Sequence, residues 1–128
     1  MIELAENTGN YTIFKFAPDE ELPREIYSED FYSVTKTPDE ISVVCRDNSN
    51  IKSGKNEKGW KCLKIKGNLD FSLVGILNSI TTPLKTNGIS VFVISTFNTD
   101  YFFIKENNFK KAVEILNKEK NITVINKI

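Results

Sequence analysis

The sequence predicts an α+β protein whose second half has a ferredoxin-like fold. Across residues 58–128 the apolar pattern switches between strand and helix periods in the order strand, helix, strand, strand, helix, strand. This order is typical of the βαββαβ arrangement, in which an antiparallel four-stranded sheet carries both helices on one face. The chain has 128 residues, of which 40% are hydrophobic, so it can bury a core without disulfides or metal.

Each element of the second half has its own pattern. Residues 60–66 alternate apolar and charged side chains, as a half-buried strand does. Apolar side chains recur at helical spacing from Leu73 to Leu84, with Ser72 at the N-cap position and Asn87-Gly88 as the stop. The remaining predictions are a strand at 101–104, a helix at 109–116 capped by Asn107 or Asn108, and a strand at 122–125. Residues 89–96 are apolar on both faces, which favours a central strand covered on both sides.

The pattern of the first half predicts a shorter unit with an order of elements similar to that of the second half. Strands are expected at 11–16, 31–35 and 40–45, and Pro23 prevents a long helix between the first two. Residues 46–59 are polar and contain glycine, so we interpret them as a surface loop. We therefore divide the chain into an incomplete unit, 1–57, and a complete unit, 58–128.

Composition argues against catalysis and against nucleic-acid binding. The chain has no histidine, which is the most common general acid–base and metal ligand near neutral pH. Cys45 and Cys62 lie in apolar stretches without Cys-x-x-Cys spacing, as buried thiols do. Seventeen Lys and Arg balance seventeen Asp and Glu, so the basic excess typical of nucleic-acid binding is absent. We expect no enzymatic activity, no catalytic residue, no metal, no other cofactor and no nucleic-acid partner.

The sequence also predicts a cytoplasmic protein without a membrane partner. Its acidic N-terminus, Met1 to Glu6, lacks the basic and apolar regions of a signal peptide. The longest clean apolar run, Val91 to Ile94, is far shorter than the roughly 20 residues that span a bilayer.

A candidate binding site lies at the start of the first predicted helix. Gly75 falls in the first turn, where glycine costs up to about 1 kcal/mol relative to alanine. Close approach of a ligand would compensate, because free N–H groups at a helix start attract a carboxylate or phosphate. Alternatively, Gly75 allows a strand to pack against the helix. Asp70 has the same two interpretations, as a ligand contact or as favourable charge at the helix start.

The turn at residues 95–100 is expected at the same end of the fold. Its hydroxyls and the Asp100 carboxylate could bind an ammonium group beside the helix start, so that the two loops together suit a zwitterionic amino acid. Alternatively, Ser95 and Thr96 satisfy the backbone groups of the turn and Asp100 forms an Asx turn. The pattern alone does not separate these alternatives.

Several strings in the chain resemble the ACT-domain family of small bacterial proteins related to the CASTOR arginine sensors of animal cells. The most specific string is Ile94 to Tyr101, and Trp60 to Leu63, Asp70 to Leu77, Pro83-Leu84 and Ile89 to Phe92 support it. Residues 35–44 are similar to the family's motif in a first, reduced ACT-like half. The resemblance runs from about Tyr11 to Leu116.

The resemblance implies a tandem of two ACT-like units, the first shortened, with elements shared between units or across a homodimer. In the arginine sensors the ligand lies between ACT units, at positions matching Leu73, Gly75 and Ile76 and Thr96, Phe97, Thr99 and Asp100. The sensors carry an acidic residue where this chain has Leu73, so the resemblance is equally compatible with an amino acid other than arginine as the ligand. The complete predicted ligand-binding set is Asp70, Phe71, Ser72, Leu73, Val74, Gly75, Ile76, Ser95, Thr96, Phe97, Thr99 and Asp100.

The predicted function is therefore a non-catalytic regulatory protein that senses a small molecule, an amino acid, and controls a protein partner that the sequence does not name. The alternative is a ligand-free ACT scaffold that acts in dimerisation or protein interaction, with the pocket filled by Phe71 and Phe97. An acylphosphatase-like enzyme is rejected, because residues 67–75 contain no Arg or Lys to bind an anion.

Overall fold

The predicted α+β, ferredoxin-like class is confirmed. A computed structural model describes residues 1–48, 50–66 and 74–125, with only the backbone of residue 74. The elements are β1 (Ile2–Phe16), a 3-10 helix (Arg24–Ser28), β2 (Tyr32–Lys36), β3 (Ile41–Arg46), β4 (Lys55–Ile65), α1 (Val74–Thr86), β5 (Val91–Ser95), β6 (Asp100–Lys105), α2 (Glu106–Asn117) and β7 (Ile122–Ile125). The run from β4 to β7 has the expected order of strands and helices.

The chain forms two compact units. Unit 1 contains Met1–Thr8 and Lys61–Ile128, and unit 2 contains Gly9–Trp60. The long strands β1 and β4 each contribute residues to both units. The interpretation of 1–57 and 58–128 as two ACT-like units stays a prediction.

In unit 1 both helices pack on one face of the sheet. Leu63 and Ile65 of β4 occupy alternate positions, so they point to the same face. The same core cluster contains Phe102 and Ile104 of β6. The helix residues in that cluster are Ile76, Ile80 and Leu84 of α1 and Ala112 and Leu116 of α2. Because one cluster holds residues of both helices, the expected position of the helices is confirmed.

The sheet of unit 1 contains a strand that the sequence patterns did not predict. Ile2 to Ala5 of β1 pair in parallel with Ile122 to Ile125 of β7. β1 also pairs with β4, which is followed by β6 and then β5. The predicted four-stranded antiparallel sheet is therefore wrong in detail: a fifth strand enters it and forms a parallel pair. Glu3 and Glu6 interrupt the apolar residues here, which weakens the strand signal.

The prediction that residues 89–96 form a central strand is also wrong. β5 lies at the end of the strand order and pairs with β6. Val91 and Val93 pack against the helix-side core, whereas the Phe92 ring stacks on Phe103 with centroids 4.7 Å apart. The strand is apolar on both faces because each face has cover, although it is not between two other described strands.

The helix ends agree only in part with the predicted caps. Gly88 follows α1 with φ of +74°, which glycine adopts readily, so the predicted stop is confirmed. Pro83 lies inside α1, and the predicted cap Ser72 lies outside the described residues. The predicted cap of α2, Asn107 or Asn108, is wrong: α2 follows β6 directly, with Lys105 at the N-cap and no capping side-chain bond.

Unit 2 contains the antiparallel strands β2, β3 and the second part of β1. Phe16 of β1 pairs with Ile41 of β3, and Tyr32 of β2 pairs with Cys45 of β3. Its core comprises Phe14, Phe16, Ile26, Ile41, Val43, Cys45 and Ile51. The predicted loop 46–59 is wrong at its end, because β4 begins at Lys55. Residues 55–58 are polar and exposed, so no apolar alternation marks this part of the strand.

Candidate ligand-binding site

A small cavity lies where α1 begins and where the chain turns from β5 to β6. It has a volume of about 140 Å³ and is lined by Leu77 and by residues 95–100. Leu77 is in the first turn of α1. The cavity is thus bordered by the helix start on one side and by the turn on the other.

Hydrogen bonds fix the shape of the turn. The Thr96 N–H donates to the Thr99 carbonyl at 2.8 Å, and the Thr96 hydroxyl donates to the same carbonyl at 3.1 Å. The Thr99 N–H in turn donates to the Thr96 hydroxyl oxygen at 3.2 Å. The Thr99 side chain, which is buried, donates to the Ile65 carbonyl at 2.9 Å and so ties the turn to β4. Thr96 therefore satisfies backbone groups of the turn, as one interpretation of the sequence expected.

Asp100 is the chemically distinctive residue of the cavity. Its side chain is only 3% exposed. The Ser95 hydroxyl donates to Oδ1 at 2.5 Å, but Oδ2 has no hydrogen-bond partner among the described residues. Asp100 thus bonds to a side chain and does not form the Asx turn of the alternative interpretation. A buried carboxylate oxygen without a donor is costly, so the site suits a ligand that brings a donor or a positive charge.

The structure brings together part of the predicted ligand-binding set. Ser95, Thr96, Phe97, Thr99 and Asp100 all line the cavity. Asp70, Phe71, Ser72 and Leu73 lie outside the described residues, and Val74 is the first residue of α1. Ile76 is buried in the helix-side core. Among the described residues of the predicted set, only those of the turn from Ser95 to Asp100 therefore line the cavity.

Gly75 is exposed rather than closely packed. No described atom lies within 4 Å of the position that a Cβ would occupy. The alternative that glycine is needed for a strand to pack against the helix therefore gains no support from the described residues. Among the described residues, nothing occupies the space beside Gly75.

Phe97 does not fill the cavity in the way that the scaffold alternative requires. Its side chain is fully exposed at the tip of the turn. The second residue expected to fill the pocket, Phe71, lies outside the described residues. A ligand therefore meets no obstruction from the described aromatic ring.

The sequence patterns missed two cavity residues, Leu77 and Asn98. Leu77 was predicted as part of the apolar stripe of α1, and it is indeed half-buried against the core. Helical spacing identifies the stripe but not which of its members reaches a neighbouring turn. Asn98 lies within the predicted turn, but no pattern distinguished it from an ordinary turn residue.

Two further features bear on the kind of site. The described part of the chain holds no group of three potential metal ligands. None of the helices found among the described residues is long and apolar enough to cross a membrane.

The order of elements from β4 to β7, with two helices on one sheet face, defines a ferredoxin-like α+β protein. A family model described as ACT domain matches residues 55–118, half of the sequence. The chain belongs to the ACT domain family. A second family model, of an N-terminal domain, matches residues 9–53.

Relatives and solved structures agree with this assignment. The Homo sapiens protein called cytosolic arginine sensor for mTORC1 subunit 1 is 36% identical over 58 residues, which are 44% of this chain and 18% of that protein. Its Bos taurus counterpart is 33% identical over 63 residues, 48% of this chain and 19% of that protein. The chain thus spans less than a fifth of the length of these relatives.

The crystal structure of a protein from Agrobacterium tumefaciens is similar over nearly the whole chain. It has a TM-score of 0.87 at 31% identity, and the match covers 99% of this chain and 94% of that one. The regulatory subunit of aspartate kinase from Thermus thermophilus shares the fold, with a TM-score of 0.63 at 10% identity over 90% of this chain and 95% of that one.

Proposed function

We propose that this chain is a non-catalytic regulatory protein that binds an amino acid in the cavity between Leu77 and Asp100. The observation that carries the proposal is the buried Asp100 carboxylate, whose Oδ2 has no partner among the described residues. A positively charged nitrogen of the ligand would donate to Oδ2. The Ser95 hydroxyl would keep the carboxylate in place through Oδ1.

The remaining groups of an amino acid have suitable surroundings. The N–H groups in the first turn of α1 favour a carboxylate, because a helix start carries partial positive charge. Leu77, in the first turn of α1, would provide an apolar wall for the carbon atoms of the ligand. We propose that the remaining predicted residues, from Asp70 to Ile76, contact the ligand from the side of the helix start.

The relatives support an amino acid as the ligand class. The animal relatives are named as arginine sensors. Since the chain covers only part of the animal sensors, arginine is not transferred directly as the ligand. The negative charge of Asp100 favours an amino acid that presents a cationic nitrogen to the turn.

The predictions on domain organisation, oligomeric state, location and partner belong to the same proposal. We propose that 1–57 and 58–128 are a shortened and a complete ACT-like unit, that the protein forms a homodimer and acts in the cytoplasm, and that it regulates a partner protein. A ligand-free scaffold is the competing function, and the same experiment separates the two.

A thermal-shift screen of the proteinogenic amino acids tests the proposal. A ligand at about 100 times its dissociation constant stabilises the folded state by about 2.7 kcal/mol, which raises the melting temperature by several degrees. Asp100→Asn is expected to remove the shift, while Asp39→Asn, which changes an exposed carboxylate in unit 2, is expected to keep it. No shift with any amino acid would favour the ligand-free scaffold instead.

A further inference from the structure

An incompletely covered apolar edge lies on unit 2 and contains none of the residues of the proposed ligand site. β2 is the last strand in its strand order and pairs, among the described strands, with β3 alone. Tyr32 and Val34 of β2 pair with Cys45 and Val43 of β3, so they lie on the face that forms the core of unit 2. Cys45 and Val43 are fully buried, whereas Tyr32 is 41% and Val34 is 40% exposed. The apolar face of this sheet is therefore covered at β3 but only partly covered at the outer strand, β2.

The 3-10 helix enlarges this exposed edge. Its Ile26 is fully buried in the core of unit 2, but the next residue, Tyr27, is 57% exposed. The rings of Tyr27 and Tyr32 meet edge to face with centroids 5.6 Å apart. Two tyrosines and a valine thus form one exposed surface, which we call the β2 edge surface (Tyr27, Tyr32 and Val34). Exposed apolar groups that are contiguous mark an interaction site more often than isolated ones do.

A strongly acidic segment flanks the same edge. Residues 19–30 contain six carboxylates, Asp19, Glu20, Glu21, Glu25, Glu29 and Asp30, and a single cation, Arg24. The segment runs beside β2, because the Lys36 ammonium at the end of β2 donates to the Pro18 carbonyl at 2.7 Å and Tyr27 touches Tyr32 at its start.

Not all of these carboxylates are engaged within the protein. Asp30 pairs with Arg46, Glu29 accepts a hydrogen bond from the Asn48 side chain, and Glu20 accepts one from the Ala17 N–H. Glu21 and Glu25 are exposed and have no ion pair within the described part of the chain. They give the surroundings of the β2 edge surface a negative charge that a cationic partner would neutralise.

We propose that the β2 edge surface binds an extended, basic segment of a partner protein, which adds to β2 as a further strand. The free edge of a strand offers backbone donors and acceptors to an incoming chain. Alternate apolar side chains of that segment would cover Tyr32 and Val34. Its Lys or Arg side chains would reach Glu21 and Glu25 or lie over the exposed tyrosine rings. This surface shares no residue with the Asp100 cavity, so the inference does not depend on the proposed amino-acid ligand.

The test uses the full chain and a labelled peptide that alternates lysine and valine, with fluorescence anisotropy as the measurement. We expect saturable binding at low salt and no binding of a peptide that alternates glutamate and valine. Methylating alternate backbone nitrogens of the lysine peptide is expected to weaken binding by about tenfold or more, since strand addition depends on those N–H groups.

Matched charge reversals separate this surface from general electrostatic attraction. Glu21→Lys with Glu25→Lys is expected to weaken binding about tenfold, whereas Glu114→Lys with Glu119→Lys on the surface of unit 1 changes the net charge equally and is expected to have under about a twofold effect. Equal effects of the two pairs, or equal binding of the acidic peptide, would overturn the proposal.

A second variant distinguishes a partner protein from a second copy of this chain. Tyr32→Thr with Val34→Thr keeps residues that favour strands but removes the apolar surface. It is expected to abolish peptide binding without changing the sedimentation coefficient. A shift from dimer to monomer in this variant would show that another copy of the chain occupies the edge, and it would overturn the proposal.

Discussion

Asp100 combines deep burial with an incomplete set of hydrogen bonds, and this combination sets the energetics of the cavity. Without ligand, Oδ2 is held away from water and from any donor in the described part of the chain. A buried polar group in that state costs the folded protein about 1–3 kcal/mol. The cost is expected where a residue is kept for binding rather than for stability.

Replacing Asp100 by Asn is predicted to leave the free energy of unfolding unchanged or to raise it by about 1 kcal/mol without ligand. The neutral amide can still accept a hydrogen bond from Ser95, and the change removes the negative charge from a buried group whose Oδ2 has no described partner. Urea denaturation of wild type and Asp100→Asn measures the difference. A loss of more than about 1 kcal/mol would mean that the carboxylate mainly stabilises the turn.

Cys45 gives a prediction on pH dependence. Burial of the side chain raises the pKa of its thiol from 9.0 to about 11, and the nearby carboxylates of Glu29 and Asp47 add to the effect. Well below pH 9 the thiol is protonated in both the folded and unfolded states, so it contributes no pH dependence. Between pH 9 and 11 the unfolded chain loses the proton first, so the contribution of Cys45 to the free energy of unfolding falls.

Cys45→Ala isolates this contribution, since the other groups that titrate at high pH are common to both proteins. Urea denaturation is expected to give a wild-type advantage over the variant that becomes smaller from about pH 9 to about pH 11. A constant difference would mean that the Cys45 pKa is not raised by folding.

At the scale of elements, the first part of β1 is predicted to be essential to unit 1. Leu4 is fully buried in the same core as both helices. Leu4→Ala is expected to lower the free energy of unfolding by about 2–5 kcal/mol, as truncation of a buried leucine does. Glu3→Ala, which changes an exposed neighbour on the same strand, is the control and should cost less than about 0.5 kcal/mol. Similar losses for the two variants would argue against burial as the cause.

Elements with clear periodicity could be predicted from sequence, and those without it could not. The helical stripe of α1 and the short strand β7 were predicted because their apolar residues face one core. The start of β1 and the polar part of β4 carry weak alternation, so neither was predicted as a strand. The start of α2 was placed incorrectly because β6 leads into it without a connecting loop or a capping side chain.

The candidate site could be predicted only in part, for a physical reason. The turn from Ser95 to Asp100 is local in sequence, so its polar character can be read directly. The approach of Leu77 to that turn depends on how α1 packs on the sheet, which no local pattern contains. The hydrogen bond from Thr99 to Ile65 joins residues 34 positions apart, so no local sequence pattern could predict it either.

At the scale of the whole molecule, the two proposed activities lie on different units. The Asp100 cavity belongs to unit 1, and the β2 edge surface belongs to unit 2. A regulatory protein needs a ligand site and a partner site whose affinities influence each other. The amino-acid ligand is therefore expected to change the affinity for the lysine–valine peptide, and the peptide must change the ligand affinity by the same factor. Anisotropy titrations with and without the ligand measure this coupling, and equal affinities in both would show that the sites act independently.

The central claim is that Asp100 binds the cationic nitrogen of an amino acid. Calorimetric titration of the amino acid that emerges from the thermal-shift screen into wild type, Asp100→Asn and Asp39→Asn tests it most directly. A hydrogen bond to a charged group contributes about 1.5–3 kcal/mol, so Asp100→Asn should weaken binding by about tenfold to more than a hundredfold. Asp39→Asn should bind as wild type does. Equal dissociation constants for wild type and Asp100→Asn would contradict the claim.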